Sequence, residues 1–167
     1  MSIFLKTEDE IELMREANLL VGKTLAEVGR HVKPGVTTLQ LDKIAEEFIR
    51  DNGAIPTFKG YPSSYGPPFP GSICASVNDV VVHGVPSEDV VLKDGDIISV
   101  DCGTLLNGFN GDSCYTFCVG EVSEDVKKLL RTTKESLYKG IEVAQAGHHV
   151  GDIGQVIQDY CQAQGYG

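Results

Sequence analysis

The 167-residue sequence predicts an α+β protein, and three features lead there. Apolar residues recur at helical spacing near both ends of the chain, a strand-like run lies between them, and Asn107-Gly108 closes a β-hairpin pattern. At this length one ordinary domain has a real core, so nothing requires a second.

The first helix opens on a capping-box pattern, Thr7 with Glu10. Ile11, Met14, Ala17, Leu20, Val21, Leu25 and Val28 follow on one face, and the helix should stop before Lys33-Pro34-Gly35. A second helix begins near Thr38, with Leu41, Ile44, Ala45, Phe48 and Ile49 on one side, and ends at "DNG". "PTFKGYPSSYGPPFPGS" is crowded with proline and aromatic residues, so it reads as a loop with large side chains to place. "ICASVNDVVVHGVP" is strand-like and ends at His83-Gly84. After the hairpin, Ser123 caps a third helix, and a fourth runs from about Asp152 to Gln164.

An internal repeat accompanies this order. A shift of 112 residues lays Gly35 on Gly147, Leu41 on Ile153, Ile44 on Val156, Phe48 on Tyr160 and Gly53 on Gly165. A helix, breaker, helix unit therefore occurs twice. The first copy continues into loop and strands, whereas after the second the sequence reaches only "GYG". A second β half is expected to be missing after residue 167.

Composition narrows the function. Hydrophobic content of 41% and charged content of 23% fit a globular protein, and the net charge of −10 argues against a general grip on nucleic-acid phosphates or anionic lipid. No apolar run reaches membrane length, and the N-terminal residues lack a signal-peptide pattern. Five cysteines form no CxxC pair, and their odd number fits a reducing, cytoplasmic setting.

The hairpin raises a chemical question, because Asp101 and Asp112 both lie in strands, where Asp is disfavoured. With a two-residue Asn-Gly turn, Leu106 pairs with Phe109 and Asp101 stands opposite Cys114. Asp112 then shares the face of Asp101 on the diagonal, about 7–8 Å away at the backbone. Ser99, Gly103, Asn110, Cys114 and Thr116 share that face, while Ile98, Val100, Leu106, Phe109, Tyr115, Phe117 and Val119 fill the other as a core surface. The plain alternative is a solvated sheet surface with two ordinary charges. Such a surface usually carries Lys, Glu and Thr, not Gly, Cys and Ser. Two carboxylates on a rigid scaffold suit a hard or borderline divalent ion, although two alone make a weak site.

His83 is the second candidate, at a strand end where a bend exposes its ring. His31, His148 and His149 read as ordinary helix and surface residues. No phosphate loop, GxSxG elbow, HExxH helix or Cys/His zinc spacing is present.

"ICASVNDVVVHGVP", followed by Asp101, ten residues and Asp112 in "FNGDSCYTF", resembles the N-terminal half of the type I methionine aminopeptidases, which are pita-bread metallopeptidases. The resemblance extends over essentially all of residues 1–167, including "TEDEIELMREAN" and "PTFKGYPSS". It implies two pseudo-symmetric αβ halves around an antiparallel sheet with helices packed on one face. Residues 1–167 would be the N-terminal part of one such catalytic domain. It also implies removal of the initiator methionine from new chains by two divalent ions (Co, Mn, Fe or Zn). On the family pattern Asp101 binds one metal and Asp112 bridges both, with a metal-bound hydroxide as nucleophile. His83 matches the histidine that hydrogen-bonds substrate and steadies the transition state. Tyr61, Phe69 and Cys74 resemble the lining of the methionine pocket.

The sequence departs from the family where Asn78-Asp79 stands for the frequent Asn-Glu, and in a longer, proline-rich loop between Tyr61 and Cys74. The family's remaining ligands, a His in a G-H-G turn and two Glu, would lie beyond Gly167. The 167 residues by themselves are therefore expected to be inactive, and to self-associate through uncovered sheet edge and core. Two rivals stand beside this reading, a non-catalytic pita-bread binding module and a peptidase of the prolidase or aminopeptidase P type.

Overall fold

A computed structural model describes residues 3–64 and 66–167, so Tyr65 of the aromatic loop lies outside the described residues. Two compact units make up the chain, Met1–Glu121 and Val122–Gly167.

The first unit begins with helix α1, Glu8–His31, whose Thr7 hydroxyl accepts the Glu10 N–H while the Glu10 carboxylate accepts the Thr7 N–H. Three acidic residues in its first turn complement the helix dipole. Helix α2, Thr38–Asp51, carries the same reciprocal cap in Thr37 and Gln40. Between them Gly35 takes φ +89°, a left-handed conformation that lets the chain reverse, and its N–H donates to the Leu92 carbonyl at 2.8 Å.

The sheet is antiparallel. Strand β1 is Ile55–Pro56, β2 Ile73–Val77, β3 Ile97–Leu106 and β4 Phe109–Cys118. β1 and β2 pair with successive stretches of β3, and β4 pairs with β3 along its whole length. The Asn107-Gly108 turn has φ +51° and +82°, the two left-handed residues a type I′ turn needs. Its register puts Leu106 opposite Phe109 and Asp101 opposite Cys114, as the two-residue turn predicts.

One face of β3 forms the floor of the core through Ile98, Val100, Cys102 and Thr104, all fully buried. Over it lie Ala17, Leu20, Val21, Leu25 and Val28 of α1 and Leu41, Ala45 and Ile49 of α2. α1 crosses so close to the hairpin that a Cβ on Gly111 would sit 2.5 Å from the Ala17 carbonyl oxygen. The Thr104 hydroxyl donates to that same carbonyl at 3.2 Å. The aspartate face of the hairpin thus looks away from α1.

Two expectations need correction. "ICASVNDVVVHGVP" is not one strand, because β2 ends at Val77. Asn78 adopts φ +51°, its side chain accepts the Ile97 N–H and donates to Asp96, and the chain turns away from β3. Val81 and Val82 are consequently exposed, and only Gly84 returns, its carbonyl accepting the Ala75 N–H at 2.8 Å. Tyr115 is also no core residue. It lies on the predicted side of the strand but is 49% exposed, tilted against the Phe117 ring at 4.9 Å.

The second unit is a helical pair, α3 Glu124–Val143 and α4 Val150–Ala163. Ile153 and Ile157 of α4 close on Gly140 of α3, where a Cβ would meet the Ile157 side chain at 2.8 Å. Thr38–Asp51 and Val150–Ala163 differ by the predicted offset of 112 residues at both ends, and Gly147 repeats the left-handed φ of Gly35. No helix among the described residues is long and apolar enough to cross a membrane.

Candidate functional site

Asp101 and Asp112 lie on neighbouring strands, with Asp112 opposite Gly103, two residues from Asp101 on the same face. The spacing follows from the tight turn, since every residue between them is fixed by the ladder. Asp101 is half-buried and Asp112 exposed. Burial raises the Asp101 pKa above the usual carboxylate value. The Asp112 charge and a carboxyl–carboxyl hydrogen-bond interaction with it raise it further, against the lowering effect of the Cys102 N–H and His83. Neither carboxylate has an ion-pair partner among the described residues. A cation between them would remove the repulsion that remains.

Both acids open into a cavity of ≈ 520 Å³ that His83, Cys74, Tyr61 and Phe69 also line. The structure thus brings together every residue the sequence singled out. Cys74 arrives by strand pairing, directly opposite Asp101 on the other side from Cys114. Its thiol is pushed up to about 11, by burial first and then by the charges of Asp101 and other acidic neighbours including Asp112, so it stays protonated at neutral pH. Cys102 faces the core beneath α1, and its burial together with the same two aspartates carries it to about 12.

His83 reaches the cavity from the exposed segment after Asn78, with φ +58°. A left-handed conformation in a non-glycine residue is uncommon and costs energy, so the surroundings must hold it. Gly84 does so: its N–H donates to the Ser76 hydroxyl at 3.1 Å, and a Cβ there would lie 2.3 Å from the Ala75 carbonyl oxygen.

Sequence reasoning missed Phe58, Pro62 and Ser63, which complete the cavity wall. They belong to the aromatic loop already noted, but nothing in their spacing says which of its side chains turn inward. Gly103 is the structural reason they fit. A Cβ at Gly103 would lie 2.3 Å from the Thr57 hydroxyl and 2.7 Å from the Phe58 ring, so only glycine lets the loop approach the aspartate face. Asp42 was missed as well: buried on α2, it accepts the N–H groups of Ser72 and Ile73 at 2.6 and 3.0 Å.

The model of metallopeptidase family M24 matches residues 12–167. The chain belongs to that family. As an M24 member it is 51% identical over 165 residues to the methionine aminopeptidase of Clostridium acetobutylicum, and 51% identical over 160 residues to methionine aminopeptidase 1 of Bacillus subtilis. Those alignments take in 99% and 96% of this chain but 64% and 62% of the relatives, so the chain spans less than two thirds of their length. The crystal structure of methionine aminopeptidase from Rickettsia prowazekii superposes with a TM-score of 0.92 at 40% identity, covering 98% of this chain and 63% of that one. The M24 pita-bread fold is therefore the fold of this chain, and the family implies divalent metal ions.

The donor set fits that implication in part. Asp101 and Asp112 offer hard oxygen donors from adjacent strands, on the face that opens into the cavity. No group of three or more His, Cys, Asp and Glu able to hold a metal ion occurs among the described residues. The two aspartates thus form an incomplete donor set.

Proposed function

We propose that residues 1–167 carry the substrate-recognising part, and the two-carboxylate half of the metal site, of a metal-dependent methionine aminopeptidase. The observation that supports it is the convergence of Asp101, Asp112 and His83 with Tyr61, Phe69 and Cys74 on one cavity. The substrate is a peptide or nascent chain beginning with methionine, met in the cytoplasm.

Asp101 and Asp112 would hold divalent ions of the Co, Mn, Fe or Zn class through their carboxylate oxygens. When bound, such ions polarise the scissile carbonyl and make a water nucleophilic at neutral pH. The remaining work falls to side chains of this chain. His83, held at the cavity rim by its strained backbone, donates to the amide beside the first residue and stabilises charge as that bond breaks. Tyr61, Phe69 and Phe58 enclose the first side chain with aromatic edges and faces that suit a thioether. Cys74, kept as a neutral thiol by a pKa of about 11, adds a polarizable wall without a charge.

The test uses the protein encoded by the complete reading frame, with Co(II) or Mn(II) added. Release of methionine from Met-Ala-Ser, with X-Pro dipeptides left intact, is the expected result. Cleavage of the X-Pro dipeptides instead would favour a prolidase-type peptidase, and no cleavage of either a non-catalytic binding module. In the active protein, His83→Ala should lower kcat/KM about a hundredfold or more, the usual scale for losing one preorganised donor.

A further inference from the structure

The wall that carries Tyr61 and Phe69 is a loop between β1 and β2, and the described residues among 57–72 have no ladder to hold them. Its neck closes on itself, with the Gly60 N–H donating to the Phe69 carbonyl at 2.8 Å and the Phe69 N–H to the Tyr61 carbonyl at 2.9 Å. Those bonds join Tyr61 to Phe69, but they do not place the neck against the aspartates. The Thr57 N–H anchors the entry by donating to the Gly103 carbonyl at 3.1 Å.

Helix α2 supplies the other anchors. The Asp42 carboxylate accepts the N–H groups of Ser72 and Ile73, where the loop passes into β2. One turn on, on the same side of the helix, the Glu46 carboxylate accepts the Lys59 ammonium just before the neck, and Arg50 at 2.9 Å steadies Glu46 from behind. Asp42 is 4% exposed, beside Leu41 and Ala45 of the core, and has no ion-pair partner among the described residues. A buried carboxylate is costly, and this one is raised above the usual range by that burial, offset by the two N–H bonds it accepts. The Ser72 hydroxyl is buried without a partner among the described residues, so the grip on Ser72 runs through its backbone.

We propose that Asp42 and Glu46 are positioning residues of the cavity: from one side of α2 they pin both ends of the loop 57–72, and so set the width of the pocket that takes the substrate's first side chain. The pocket's assignment to that side chain rests on the proposed function, whereas the pinning does not.

Cys74 and Cys102 make a built-in comparison. Both are buried, Cys74 in the cavity and Cys102 in the core under α1. Alkylation of each thiol in the 167-residue protein, followed by peptide mass, reads the opening of the two regions separately. Asp42→Ala should speed Cys74 labelling roughly tenfold and Glu46→Gln, which breaks a partly exposed ion pair, about two- to fourfold, both leaving Cys102 unchanged, because local opening is sampled independently of global unfolding. Asp42→Asn, which keeps an oxygen acceptor, should bring the Cys74 rate back to within about threefold of the unaltered protein. Cys74 and Cys102 rising together would mean ordinary destabilisation and overturn the proposal, as would no change at Cys74. If Asp42→Ala does not fold, Glu46→Gln and Asp42→Asn decide the matter alone.

Binding of L-methioninamide against L-alaninamide, followed by NMR, reads pocket width. In Glu46→Gln the preference for methioninamide should fall about threefold or more. An unchanged preference despite faster Cys74 labelling would overturn the link to pocket width. If the unaltered protein binds neither amide, the substrate reading is at fault, and the labelling still decides the role of Asp42 and Glu46.

Discussion

Asp101 is the residue whose environment says most about what the site lacks. Its folded pKa is raised by burial and by Asp112, so its charged form is less welcome in the folded chain than in the unfolded one. The sign is that of a raised group: its contribution is fully favourable below the unfolded value, near 3.8, and is lost as pH rises through the folded value. Replacing it with the neutral isostere should therefore stabilise the metal-free protein at pH 7. We expect Asp101→Asn to raise Tm by about 1–3 °C, a modest shift because a half-exposed carboxylate is screened by water. The gain should vanish in scans below about pH 4, where Asp is itself neutral. A variant that melts lower at pH 7 would mean that the repulsion is already relieved by some other contact.

At the scale of elements, the hairpin is joined to α1 by backbone contact as much as by side chains. Gly111 has the Ala17 carbonyl where a Cβ would be, so Gly111→Ala must push the helix and hairpin apart. Urea denaturation should show a loss of about 1–3 kcal/mol, the usual cost of overpacking a fitted contact. At the turn, Gly108 has φ +82° and open space around it, so Gly108→Ala meets only backbone strain. Its cost should be smaller, about 1 kcal/mol. If Gly108→Ala were the more damaging of the two, the turn and not the helix contact would be what holds the hairpin in place.

At the scale of the whole molecule, two carboxylates and no third partner for a metal among the described residues set the expected behaviour of the 167-residue chain. After dialysis, atomic absorption should find no stoichiometric metal; two ions retained per chain would show that these residues already form a complete site. The chain also leaves Leu129, Leu137, Tyr138 and Ile141 of α3 more than a third exposed, and α4 has no buried residue. Sedimentation velocity is expected to show concentration-dependent association, since apolar surface of this kind is seldom left uncovered. A monomer across the micromolar range would contradict it.

Much of this was written locally in the sequence. Thr7 with Glu10 and Thr37 with Gln40 begin helices because the caps need partners only three residues away. Asn107-Gly108 set the hairpin register, and the register put Asp101, Asp112 and Cys114 on one face, because a two-residue turn leaves a ladder no freedom. The "VVHGVP" and D-x(10)-D motifs then pointed to the family that the comparisons bear out. What the tertiary structure alone decided are contacts between distant segments. Asp42 grips a backbone about thirty residues away, Gly103 admits Phe58, and Asn78 ends β2 by bonding across to Asp96 and Ile97. Local propensity favoured a continued strand through Val80–Val82, and a side-chain contact to another element overruled it. Propensity and periodicity act over a few residues, so they determine caps, turns and faces. The enclosure of a cavity depends on where remote backbone groups find partners, and that is settled only when the chain packs.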